Sequence, residues 1–154
     1  MIEVSVLVSN KSWKKYLKNP ELHLKRRVTK LNKNISLFKK NKIFFSILLS
    51  GNERIKKLNK KYRNKNETTD ILSFPFYKKK KLNQLLKKKE KIYLGDIIIN
   101  INKITKKSKN FFFIKYFDKI WVHGLTHLLG YKHKSNQDYL AMTKIEKNFL
   151  KVIN

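Results

Sequence analysis

The chain predicts a single α/β (α+β) domain, on three observations. Apolar residues recur at every second position in some segments and at every third or fourth in others, which are the periods of strand and helix. No segment repeats at a fixed interval, and no Gly- or Ser-rich stretch divides the 154 residues into parts. That length suits one domain spanning residues 1–154, and a domain of this size buries roughly 70% of the surface its unfolded chain exposes.

Ile2, Val4, Val6 and Val8 alternate as in a half-buried strand. Asn19-Pro20 reads as an N-cap with proline in the first turn, and Leu24, Val28, Leu31 and Ile35 follow at helical spacing. Lys42 to Leu49 is a second strand. Gly51-Asn52 turns into a helix whose Ile55, Leu58 and Tyr62 share one face, and a polar loop runs from Asn64 to Thr69. Ile71 to Phe76 is extended and apolar, and Pro75, which cannot donate a ladder hydrogen bond, marks an edge or a strand end. Lys78 to Lys91 holds eight lysines in fourteen residues and reads as a solvated excursion, partly helical through Leu82, Leu85 and Leu86. Ile92 to Asn100 is a further strand. Ile114, Phe117, Trp121, Leu125 and Leu128 then predict one long helix ending at Leu129, with Gly130 as a left-handed cap. A last helix from about Gln137 carries Leu140, Ile145 and Phe149.

Composition excludes several function classes. There is no cysteine, hence no disulfide framework, iron–sulfur cluster, thiol catalysis or Cys-ligated zinc, and the chain fits a reducing compartment. The longest apolar stretch, Ile43 to Leu49, is broken by Ser46 and falls far short of the ~20 residues that span a bilayer. With MIEVSV lacking the pattern of a signal peptide, a cytoplasmic protein is expected, without a membrane partner. The 38 Lys and Arg against 10 Asp and Glu give a net charge of +28, which favours a polyanionic partner because lysines release counterions from phosphates. An AT-rich genome also inflates Lys, Asn, Ile and Phe, so local chemistry has to decide.

Three of the four histidines fall within His123-Gly124-Leu125-Thr126-His127-Leu128-Leu129-Gly130-Tyr131-Lys132-His133. His123 and His127, four apart on a helix, leave the same face one turn apart. A glycine with positive φ at 130 reverses the chain and can return His133 to the same ion. Three nitrogens with a fourth position left to water describe a catalytic rather than a structural ion, most plausibly zinc, although affinity order alone also admits nickel or copper. His23, far from the cluster in a lysine-rich helix, reads as a bystander. Metzincin peptidases share the histidine spacing but place a general-base Glu beside the first His, where this chain has Gly124, so proteolysis loses its base.

The chain resembles the YbeY endoribonucleases, the bacterial rRNA maturation factors. Their H-G-x-x-H-L-x-G-Y-x-H run matches His123 to His133. A second block matches at Leu58-Asn59, Tyr62-Arg63-x-Lys65 and Thr69-Asp70-Ile71-Leu72-Ser73-Phe74-Pro75-Phe76, and a third at Leu94-Gly95-Asp96-Ile97, with Met142 and Glu146 downstream. The resemblance implies a small, largely parallel mixed sheet packed with helices around a zinc cleft. It implies one Zn2+ held by His123, His127 and His133 plus a water, and Arg63 as a catalytic group pairing with a phosphate oxygen. The implied activity is single-strand-specific cleavage of RNA in small-subunit (16S) rRNA 3′-end maturation and ribosome quality control. Partners would be pre-rRNA and the ribosomal small subunit or its assembly factors. A ribosome-assembly factor binding pre-rRNA around a structural metal is the alternative from another class.

The chain departs from that pattern at Lys132, where Asp is usual, at Thr126 for Leu, and at Asn66 and Thr68 for Asp and Pro. If the usual Asp supports the site as an outer acceptor, a cation in its place weakens metal binding or moves that support elsewhere. Asp70 and Asp96 either orient a ligand or accept a proton, or serve as caps and turn residues. Glu146 has the same two readings, with a lysine salt bridge as the plainer one. The Phe111-Phe112-Phe113 run is expected in the core.

Overall fold

The computed structural model describes residues 1–88, 90–109 and 112–154. Phe111 and Lys89, on which two of the sequence readings touch, lie outside the described residues. Among these residues four strands form one sheet: β1 (Ile2–Val8), β2 (Lys42–Ser50), β3 (Ile71–Pro75) and β4 (Lys91–Asn100). Their order is β1-β2-β4-β3, with β1–β2 and β2–β4 parallel and β3 antiparallel to β4. The sheet is therefore mixed and largely parallel, as the resemblance implies, and Pro75 does end an edge strand.

The helices are α1 (Pro20–Asn34), α2 (Ser36–Lys40), α3 (Asn52–Arg63), α4 (Lys79–Lys88), α5 (Ile101–Ser108), α6 (Phe113–Leu128) and α7 (Asn136–Ile153). Short polar side chains cap three of them, α1, α5 and α7. Asn19 Oδ1 accepts from Leu22 N–H at 2.9 Å, and Ser135 Oγ from Asp138 N–H at 3.1 Å, each satisfying an orphan donor of a first turn. Helices α2 and α5 have no counterpart in the sequence reading. They are five and eight residues long, too short for the helical period to stand out.

The main core lies between one sheet face and α1, α6 and α7. Ile2, Ile43, Phe45, Ile47, Ile92, Leu94, Ile97 and Ile99 meet Leu24, Val28 and Leu31 of α1, Phe117, Trp121 and Leu125 of α6, and Phe149 and Ile153 of α7. Each such side chain taken out of water contributes about 1.5–3 kcal/mol before entropy is counted. The opposite face is covered only in part, where α3 packs Ile55 and Leu58 on Leu72, Phe74 and Ile98. Some phases differ from expectation. Ile114 is 46% exposed because Phe113 takes the buried position on α6, and Leu140 is 66% exposed while Met142 is buried. Tyr62 is exposed at the end of α3, although Ile55 is buried there. Of the Phe run, Phe113 is in the core as expected, whereas Phe112 is 65% exposed.

His23 stands apart from the histidine cluster, as expected, and has a structural partner. Its Nε2 lies 2.9 Å from Oδ1 of Asp118, which has no exposed surface. Arg27 Nη2 stands 3.1 Å from Oδ2, and Trp121 Nε1–H donates to Oδ1 at 2.9 Å. This pairing of α1 with α6 is structural and lies outside the cleft described below.

Candidate metal centre

The three histidines meet because one helix end is terminated tightly. Gly130 takes φ of 85°, Gly130 N–H donates to His127 O at 2.9 Å, and Tyr131 N–H to Thr126 O at 3.1 Å. This reversal uses the positive φ that glycine adopts without penalty, and it carries His133 back over the last turn of α6. One ligating atom from each of His123, His127 and His133 then lies within 4.8 Å of the others.

The tautomers are fixed by what the rings touch. His123 Nδ1 stands 2.7 Å from Glu146 Oε1, and His127 Nδ1 stands 3.0 Å from the Tyr131 carbonyl. A carboxylate and a carbonyl only accept, so both Nδ1 atoms carry the hydrogen and both Nε2 atoms carry lone pairs. Those Nε2 atoms are 3.1 Å apart. Two acceptors at that distance repel unless a cation lies between them. Two nitrogens each ~2.0–2.1 Å from one zinc at the tetrahedral angle stand about 3.3–3.4 Å apart, so the His123–His127 pair is spaced for such an ion, with His133 within reach. Burial pushes the His127 pKa down and the neighbouring His123 adds to this, while the hydrogen bond to the Tyr131 carbonyl opposes it. The net direction favours neutral imidazole, the form that ligates a metal.

Thr126 and Gly124 explain the rest of this helix face. Thr126 is fully buried, and its hydroxyl donates to His123 O at 2.7 Å and lies 3.4 Å from Glu146 Oε1, so the polar replacement is satisfied. A Cβ on Gly124 would stand 2.9 Å from Ile71 Cδ1 and 3.0 Å from Ile97 Cδ1 and Cγ2. Position 124 faces the sheet, and a carboxylate there would enter the core instead of the cleft.

The histidines open into a cleft of about 740 Å³ whose other lining residues include Arg63, Asp70, Phe76, Lys78, Lys79 and Lys132. Arg63 is the last residue of α3, held by a left-handed Asn64 (φ 57°) and by Asn59 Nδ2–H donating to Glu67 O at 3.0 Å. The structure thus brings Arg63 to the same cleft as the histidines, exposed and with no ion pair among the described residues. Asp70 also lines it, but its carboxylate is engaged by Lys107 Nζ at 2.7 Å. Asp96 is elsewhere, on the far sheet face, accepting from Tyr93 Oη at 2.5 Å. Lys132 lines the cleft without supporting a ligand; Glu146 and the Tyr131 carbonyl hold His123 and His127 instead. Sequence reasoning missed Lys78 and Lys79, which it assigned to a solvated excursion. Lys79 packs its Cβ and Cγ against Gly130 and sets Nζ 4.5 Å from the centre of the Tyr131 ring.

A family model described as Endoribonuclease YbeY matches residues 7–154. An Endoribonuclease YbeY from Pelagibacter ubique is 38% identical over 99% of this chain and 97% of its own length. One from Ehrlichia ruminantium (strain Gardel) is 32% identical over 97% of this chain and 89% of its own. The solution structure of TM1509 from Thermotoga maritima is similar in fold, with a TM-score of 0.55 at 21% identity over 99% of this chain and 89% of that one.

Proposed function

The chain belongs to the YbeY endoribonuclease family, a family of hydrolases that act in rRNA processing, and on that premise we propose that it cleaves single-stranded regions of pre-rRNA at the three-histidine centre. The reading extends to small-subunit 16S rRNA 3′-end maturation and ribosome quality control, in the cytoplasm, with the small subunit or its assembly factors as partners. Residues 1–154 act as one unit. No helix among the described residues is long and apolar enough to cross a membrane.

His123, His127 and His133 are the ligands in this reading, and zinc is the ion that an all-nitrogen set of three imidazoles favours. When bound, the ion supplies Lewis acidity toward a phosphoryl oxygen and makes water a much stronger acid. The chain's own residues do the rest. Glu146 and the Tyr131 carbonyl orient two imidazoles, and Lys78, Lys79 and Lys132 draw a phosphate backbone into the cleft. Arg63 offers a planar pair of N–H donors to the phosphate oxygens, whose charge grows as the phosphorus becomes five-coordinate.

The observation that carries this reading is the convergence of three imidazoles and an unpaired guanidinium on one lysine-lined cleft. The test is cleavage of a single-stranded pre-rRNA fragment by metal-quantified protein, beside His127→Ala and Arg63→Ala. The variants are expected to fold and bind RNA while losing cleavage. Product ends separate direct hydrolysis from attack by the RNA 2′-hydroxyl, which leaves a 2′,3′-cyclic phosphate. Intact RNA after incubation with zinc-loaded wild type that binds it tightly would overturn the reading in favour of an assembly factor with a structural metal.

A further inference from the structure

The sheet face away from the main core is bare at the end where the parallel strands begin. The register aligns Glu3 with Phe44, Ser5 with Ser46, Phe44 with Tyr93, and Ser46 with Asp96, so these side chains share that face, and α3 covers only the other end. Four rings run across it in sequence. Phe44 and Tyr93 have centroids 4.9 Å apart, Tyr93 and Phe76 5.7 Å, and Phe76 and Tyr77 4.9 Å. Phe76 is 64% exposed, and both it and Tyr77 line the histidine cleft. At the far end Phe44 forms one wall of a groove of about 480 Å³ that also contains Lys39, Lys40, Lys42 and Lys91, with Glu3 as its acidic member. Lys91 Nζ lies 5.1 Å from the Phe44 ring centre.

Phe76 is exposed and Phe44, Tyr93 and Tyr77 are half-buried, and no helix among the described residues packs over this row of rings. Alternating stacking surfaces and ammonium groups match a single-stranded polynucleotide: bases lie on rings whatever their sequence, and phosphates are met by lysine. We infer that single-stranded RNA entering or leaving the cleft passes over the edge strand β3 at Phe76 and runs along Tyr93 and Phe44 into the Lys39–Lys40–Lys42–Lys91 groove. This inference rests on RNA being the substrate of the histidine cleft, and adds to it a second binding surface on the opposite side of the sheet. The surface gives affinity that depends on RNA length and not on sequence. Asp96, with Glu3 an acidic member of this face, accepts from the Tyr93 hydroxyl at 2.5 Å, which holds its carboxylate beside the Tyr93 ring edge.

The test measures binding under chelation, so that no RNA is cut, with fluorescent single-stranded oligoribonucleotides of about 4 and about 16 nucleotides. Proteins are wild type, Lys40→Glu/Lys42→Glu, which alters only exposed residues, and Phe44→Ala, with circular dichroism as the folding check. Wild type is expected to bind the long oligomer at least about tenfold more tightly than the short one. The lysine pair should remove most of that advantage and flatten the salt dependence, leaving the short oligomer's affinity within about twofold. Phe44→Ala should cost the base-bearing long oligomer more than an otherwise identical abasic one. If both variants keep the wild-type length advantage, the track is overturned, the face is left to a protein partner, and the cleft reading stands. If wild type binds neither oligomer, both readings fall.

Discussion

Glu146 Oε1 stands 2.7 Å from His123 Nδ1, so a side chain of α7 fixes the orientation of a ligand on α6. The carboxylate holds the tautomer with Nε2 free and raises the basicity of that nitrogen. Glu146→Ala is expected to weaken metal binding about 10–100-fold, as losing an outer partner of a ligating histidine does. Glu146→Gln keeps an acceptor oxygen and should lose less. Competition against a chromophoric chelator measures both. Equal affinity in the alanine variant would mean that His123 needs no such anchor.

Gly124 lies between the first two ligands with its Cβ position 2.9–3.0 Å from Ile71 and Ile97. Gly124→Ala gains about 1 kcal/mol of helix propensity but overpacks the seam at a cost of about 1–3 kcal/mol. The expected sum is a loss of up to about 2 kcal/mol, together with weaker metal binding because α6 must move off the sheet. Urea unfolding and the same chelator titration read the two effects. A more stable variant with unchanged affinity would show that the isoleucines yield without moving the helix.

Asp118 is the buried centre of the His23–Arg27–Trp121 network. Asp118→Ala leaves His23, Arg27 and the Trp121 N–H without their common partner against the core. Breaking a fully buried pair costs about 3–5 kcal/mol, and since His23 and Arg27 keep some contact with water, about 2–3 kcal/mol is expected here. The midpoint of urea unfolding reports it. A shift below a tenth of wild-type stability would mean that water takes over the role of the carboxylate.

Asp70 and Lys107 form an ion pair at the cleft edge. Burial raises the Asp70 pKa, but the Lys107 hydrogen bond and charge outweigh it and hold the carboxyl below its ordinary value. The Asp70 hydrogen bond in turn raises Lys107. A lowered carboxyl contributes stability that is present above the unfolded-chain pKa of about 3.9 and is lost as pH falls through the folded value. A raised lysine contributes below about 10.4 and loses this as pH rises through its folded value. Because Lys107 is half exposed, Lys107→Met should cost less than about 1 kcal/mol at neutral pH. The difference from wild type should close as the pH is lowered past about 3.9. A gap that persists in strong acid would point to lost packing of the lysine stem.

Much of this arrangement was readable from local patterns, and the unread parts share a cause. The histidine spacing and Gly130 bring the three histidines together because all of the geometry lies in eleven consecutive residues. Strand alternation in Ile2–Val8 and the proline in β3 likewise report local facts. What escaped depends on residues far apart in the chain. Glu146 has two readings in the sequence, and the one that orients a histidine is decided only once α7 docks on α6, while His23 meets Asp118 across 95 positions. The Lys78–Lys91 segment looked solvated from its charge, yet Leu82 is buried and Lys79 packs on Gly130, because a lysine stem is apolar even when its end is not. Arg63 was visible only through the family pattern, since a cation at a helix end is ordinary by itself.

The closeness of the ligands along the chain has a thermodynamic consequence. A loop of eleven residues closes at less entropic expense than a longer one, so the unfolded polypeptide keeps some affinity for the ion even without the Glu146 anchor and the docked helix. Linkage then yields less than the native affinity alone promises, because ion bound to the denatured ensemble subtracts from the gain. Saturating zinc should raise the melting temperature by less than RT ln(1 + [L]/Kd) requires, and a peptide covering residues 118–135, which lacks Glu146, should hold the ion more weakly than the folded protein does.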